Sequence, residues 1–67
     1  MTNANTFAES LVTRSTAAGR AVAVTVSEIE AADLDPRAVV ANLRSVCAED
    51  DGKGDFSGEG WRVQVWA

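Results

Sequence analysis

Arg37, Ala41, Asn42, Arg44 and Ser45 fall close together in "RAVVANLRSV". A guanidinium can bond the O6 and N7 of guanine with two parallel N–H groups, and a carboxamide can do the same to adenine. Ala and Ser keep the surface between them low enough for a groove floor to come near. Shown on one face of a helix, these side chains suit contact with double-stranded DNA. Lys53 and Arg62 are of the type that steadies a phosphate backbone without reading sequence.

What the chain lacks narrows its chemistry further. It has no His, no Tyr and a single Cys. Cys47 therefore has no partner for an internal disulfide, zinc has no ligand set, and no imidazole stands ready to activate a thiol. Asp50, Asp51, Asp55 and Glu59 are crowded as calcium ligands are. An EF-hand frame begun at Asp51 nonetheless puts Lys53 where an oxygen is needed and Phe56 where glycine is needed. Carboxylates remain the only acid–base groups, and nearly all lie in helix starts or in the acidic stretch. The expectation is a protein that is not an enzyme and holds no metal or cofactor.

Three helices would position the candidate residues. In "TFAE" Thr6 and Glu9 have capping-box spacing, which predicts a helix from Phe7 to about Ala18 ended by Gly19. Phe7, Leu11, Val12 and Ala18 would face inward. "SEIE" repeats the spacing with Ser27 and Glu30 and predicts a short second helix through Ala32. Asp35 caps a third helix over 36–48, with Pro36 in its first turn, where a missing N–H costs nothing. Leu34 before that cap can pack on Val39 as a hydrophobic staple. Val39, Val40, Leu43, Val46 and Cys47 make one apolar stripe of helical period. Arg37, Ala38, Ala41, Arg44, Ser45 and Ala48 then face outward, with Asn42 on the flank.

Two segments alternate as strands do. In "AVAVTV", residues 21–26, Val22, Val24 and Val26 share a face; in "WRVQVWA" Trp61, Val63 and Val65 oppose Arg62, Gln64 and Trp66. Between the third helix and the last strand, "EDDGKGDFSGEG" reads as a loop or a flexible hairpin. Trp66 either covers Ala21, Ala23 and Thr25 within the chain or projects as an interface anchor.

The order helix, strand, helix, helix, glycine-rich loop, strand, with the tight "AADLDPR" corner, resembles the winged helix-turn-helix family. The resemblance covers most of the chain and implies an α+β domain of three helices with a two- or three-stranded antiparallel sheet. It also implies a recognition helix in "DPRAVVANLRSV" and a wing in "DGKGDFSGEGWRVQVW". The corner is about one residue shorter than the commoner form, and no Gly follows Asp33 to take a left-handed turn. The third helix is also poorer in basic residues than is usual for the family.

Sixty-seven residues make one domain near the lower limit for folding unaided, so a homodimer would help it. The first five residues are expected to be disordered. No apolar run is long enough to span a membrane, and "MTNANTFAES" lacks the pattern of a secretory signal, so the cytoplasm is the expected location. Net charge is −4, which disfavours indiscriminate nucleic-acid binding. The charge is unevenly placed: Arg37 and Arg44 make residues 37–47 locally basic, between two acidic segments, 27–36 and 48–60. Two functions from different classes follow. One is a small, dimeric DNA-binding transcriptional regulator using Arg37, Ala41, Asn42, Arg44, Ser45, Lys53 and Arg62. The other is a non-catalytic protein-interaction module, an adaptor or acidic inhibitor of a basic protein, with Trp66 at its interface.

Overall fold

A computed structural model of the protein describes residues 3–67. Within them, helices α1 (Ala4–Ala18), α2 (Val26–Ala31) and α3 (Pro36–Val46) accompany strands β1 (Val22–Thr25), β2 (Glu49–Asp50), β3 (Asp55–Gly58) and β4 (Trp61–Trp66). The fold is α+β, with more strands than expected. The sheet order is β1-β4-β3-β2, and β1 runs parallel to β4 while the other pairs are antiparallel. The expectation of a purely antiparallel sheet is corrected by that one pair. A parallel pair needs a long crossover, and α2, α3, β2 and β3 all lie between its two strands.

One apolar cluster holds the layers together. Leu11 and Ala8 of α1, Ile29 of α2, and Val39 and Leu43 of α3 are buried against Val24, Phe56 and Val63 of the sheet. Each of the larger side chains contributes about 1.5–3 kcal/mol by leaving water. Because Val24, Phe56 and Val63 point the same way, all three helices cover one face. Strand alternation turns Ala23, Thr25, Glu49, Asp55, Ser57, Arg62, Gln64 and Trp66 to the other, open face.

Helix starts follow the chemistry expected of them, but two are displaced. Asn3, not Thr6, caps α1: its carboxamide oxygen accepts the N–H of Thr6 at 2.8 Å. Asn is the stronger N-cap, and the earlier start adds Ala4, Asn5 and Thr6 to the helix. Residues 3–5 are therefore ordered, against expectation, while residues 1 and 2 lie outside the described residues. Thr25, not Ser27, caps α2, in a capping box with Glu28. "TVSE" has the same spacing as "SEIE", and its use lets β1 pass into α2 with no linker. Asp35 caps α3 as expected, accepting the N–H of Arg37 at 3.0 Å, with Pro36 in the first turn.

The corner between α2 and α3 is a Schellman closure. Leu34 N–H bonds Ile29 C=O and Asp33 N–H bonds Glu30 C=O. Asp33 itself takes the left-handed conformation, φ 61°, at the position glycine usually fills. Half-buried Leu34 then packs against the core.

The acidic, glycine-rich stretch is not simply a loop. It contains β2 and β3, and Phe56 within it is fully buried. Gly54 is required where the β2–β3 turn meets β4. Its φ is 100°, its C=O accepts Val65 N–H at 2.7 Å, and an added Cβ would stand 2.5 Å from Val65 O.

Among the described residues Ser15 is the one buried polar residue, and it replaces Ala18 as an inward position of α1. Its hydroxyl accepts Arg62 N–H at 2.9 Å and donates to Arg20 C=O at 2.7 Å, with Arg62 C=O at 3.0 Å as the alternative acceptor. The first β1–β4 pair is Val22 with Val63, so Arg62 lies one residue before β1 can serve it. Ser15 supplies the missing partner. Ser15→Ala should lower unfolding free energy by about 1–3 kcal/mol, the cost of a buried N–H left without an acceptor, as read by urea denaturation. Asp33→Gly should raise it by about 1 kcal/mol in the same assay, because an L-residue loses roughly that much in the left-handed region.

Candidate functional site

The outward face of α3 was the first candidate. Arg37 and Ala41 are exposed on it, and Arg37 makes no ion pair among the described residues. The remaining side chains are largely occupied. Asn42 is half-buried, and its amide donates to Ala38 C=O at 2.8 Å, one turn back along its own helix. Ser45 Oγ donates to Asn42 C=O at 2.8 Å. Arg44 folds over the core: its Cζ stands 6.0 Å from the ring centre of Phe56, and its Nε donates to Asp50 Oδ2 at 2.6 Å.

Arg62 is also held by a carboxylate. Its Nε donates to Asp55 Oδ1 at 2.9 Å and its Nη2 to the other oxygen of the same group. Because β4 alternates, this side chain lies on the open sheet face, on the side of the molecule opposite α3. The two residue groups expected to share a DNA surface therefore do not share one. Lys53 is exposed in the β2–β3 turn.

The carboxylates are occupied as well. Asp51 Oδ1 accepts the N–H groups of Lys53 and Asp55, at 2.7 and 3.1 Å, and Asp50 Oδ1 accepts that of Gly52 at 2.8 Å. The bond from Gly52 and that from Arg44 hold Asp50 below the ordinary 3.8, and the Arg62 fork does the same for Asp55. Among the described residues, no group of three His, Cys, Asp or Glu side chains is placed to hold a metal ion. Cys47 is half-buried with its thiol directed at Arg44 C=O, 3.3 Å away.

Two apolar side chains stand out instead. Trp66 is 57% exposed at the end of β4, next to Thr25 on the open face, so it is not the tight cover for β1 that one expectation held. Val46, expected inward, is 61% exposed. It lies in line with Val39 and Leu43 but in the last turn of α3, beside an opening lined by Val12, Thr13, Asn42 and Trp61. Sequence periodicity assigns a face but not where along a helix the core stops. The open sheet face combines Trp66 with acidic groups, since Glu49, Asp51 and Asp55 gather with Ser57 and Arg62 around a shallow hollow.

Comparison of the chain with protein-family models, with curated proteins and with solved structures finds no match. Among the described residues, no helix is long and apolar enough to cross a membrane.

Asp50 and Asp55 titrate below their ordinary value when folded, so folding gains from their ionisation above about pH 4 and loses that gain as pH falls through the lowered values. Stability measured by urea midpoint should be level from pH 7 to 5 and fall from about pH 4 downward. Asp50→Asn and Asp55→Asn should each flatten that acid limb; an unchanged limb in both would mean that the ion pairs do not form in solution.

Proposed function

We propose that the chain is a non-catalytic protein-interaction module that works through its open sheet face. The observation that carries this reading is Trp66, a large side chain more than half exposed on a face that no helix covers. Tryptophan is enriched among residues that dominate binding energy, because one rigid ring buries much area at little entropic cost. Trp66 lines a hollow with Asp51, Lys53, Asp55 and Gln64, and Glu49 lies further along the same face; with Asp55 paired to Arg62, Asp51 and Glu49 are its carboxylates without an ion pair among the described residues. An indole next to carboxylates fits a partner protein that is basic and offers an apolar recess. Two of the four cations named for DNA binding are engaged, Arg44 by Asp50 and Arg62 by Asp55.

A second reading keeps one specific support. Arg37 is exposed and unpaired among the described residues, and Ala41 beside it leaves α3 low enough to enter a groove. Under that reading the protein is a DNA-binding regulator of winged helix-turn-helix type, with far fewer phosphate contacts than the residue list first offered.

Titration with mixed-sequence duplex DNA at low and moderate salt separates the two. No retention at either salt is expected; salt-dependent binding that Arg37→Ala abolishes would establish the second reading. Trp66→Ala should leave stability within about 0.5 kcal/mol, as for an exposed site. A loss of about 3–5 kcal/mol would make the ring part of the core and remove the basis of the first reading.

A further inference from the structure

The two edges of the sheet are built differently. On one side lies β2, only two residues long, both acidic, and continued by Asp51. Short length and charge are the usual protections of an exposed edge. On the other side lies β1, Val22-Ala23-Val24-Thr25, twice as long, with no charge and no proline, and with no strand beyond it. On its far edge Thr25 N–H is already met by Glu28 Oε1 at 3.4 Å, so the unpaired backbone donor and acceptor within the strand are those of Ala23.

We infer that β1 pairs antiparallel with β1 of a second copy, joining two four-stranded sheets into one continuous sheet. The charges around the strand select this occupant. Two molecules of net charge −4 repel, and the acidic β2 edge repels most directly. Around β1 the charges are opposite: Arg20 precedes the strand and Glu28, whose carboxylate also closes the Thr25 capping box, follows it in α2, both exposed. A twofold alignment centred on Ala23 lays Arg20 of each copy beside the Val26–Glu28 end of the other. The opposite-charge approach therefore occurs twice. Parallel alignment would set Arg20 against Arg20.

The twofold axis stands perpendicular to the sheet, so both sets of helices stay on one side. Both open faces, each with its Trp66, stay on the other. The dimer thus doubles the acidic, indole-bearing surface without covering it. It also leaves the outward face of α3 free, so it stands whichever surface meets a further partner. The junction is short, which places its affinity in the micromolar range, roughly 1–100 µM.

Sedimentation velocity across that concentration range should show wild-type protein passing from monomer to dimer. Ala23 is exposed in the middle of β1, so Ala23→Lys and Ala23→Glu should each fold, as judged by circular dichroism, and each remain monomeric through like-charge repulsion. An equimolar mixture of the two should dimerise again. A wild type that stays monomeric throughout, single variants that dimerise as it does, or a mixture that stays monomeric would each overturn the proposal. Should either variant fail to fold, amide hydrogen exchange of the wild type decides: slower exchange at residues 22–25 at high concentration supports the pairing, and concentration-independent exchange refutes it.

Discussion

The architecture depends on seating β4 beside β1 in parallel, because that pairing brings the last segment of the chain back to the first strand. Parallel strands far apart in sequence have no tight turn to fix their register, so something else must. Here it is the hydroxyl of Ser15. It reaches from the inward side of α1 to the backbone of Arg62 and of Arg20, so that helix, connection and strand meet at one atom. The bond has a second consequence. By satisfying Arg62 where β1 has not yet begun, it fixes which residues of β4 face the core: Val63 inward, Arg62 and Gln64 outward. A slip of one residue would exchange those faces and place a guanidinium in the core.

From that register follows the division of the surface. Helices occupy the Val63 side, and the Arg62 side stays open. The arginines then differ by what stands nearby rather than by how basic their segment is. Arg44, at the end of α3, meets Asp50 at the start of the meander, and Arg62 meets Asp55 across one strand spacing. Both pairs join elements that the sequence separates by a turn. The locally basic segment thus keeps one guanidinium without an ion pair among the described residues, that of Arg37. The acidic stretch that follows α3 supplies the neutralising groups, and the side-chain oxygens of Asp50 and Asp51 also close the β2–β3 turn.

How far the sequence could be read depended on whether a signal was local. Asp35 with Pro36, Gly19 after α1, and the alternation in β1 and β4 are local, and the structure agrees with them. The two displaced caps show local signals in competition: "TFAE" lost to Asn3, and "SEIE" lost to "TVSE", because the winner also had to suit the strand or helix beside it. β2 and β3 were legible only as the hairpin alternative to a loop, for another reason. Four residues around a single buried Phe56, set among glycines and acids, carry too little alternation to register as a strand. Their existence depends on pairing with β4 and β2. The candidate site shows the same limit. Which residues lie on the outer side of α3 was readable from its period, but their ion-pair partners and the separation of Arg62 from that face came only with the sheet.

The chain is small, and this shapes what its surface can do. With eight buried hydrophobic residues in the core among the described residues, few large side chains are left over, and an exposed Trp66 is conspicuous on that scale. If indole burial were needed for folding, α1 or α3 could have covered β4 on both faces only by leaving Val24, Phe56 and Val63 unprotected. One helical layer suffices for one face. The second face of the four-stranded sheet carries no helix among the described residues, and its composition is what distinguishes it. An ordinary solvated face would alternate charge and small polar groups throughout, as Ser57, Arg62, Asp55 and Gln64 do here. Trp66 interrupts that pattern at the strand end nearest Thr25. Its backbone pairs with Thr25 of β1, while its side chain lines a hollow with Asp51, Lys53 and Asp55 of the β2–β3 turn, so the apolar part of the open face meets the turn that the aspartates close.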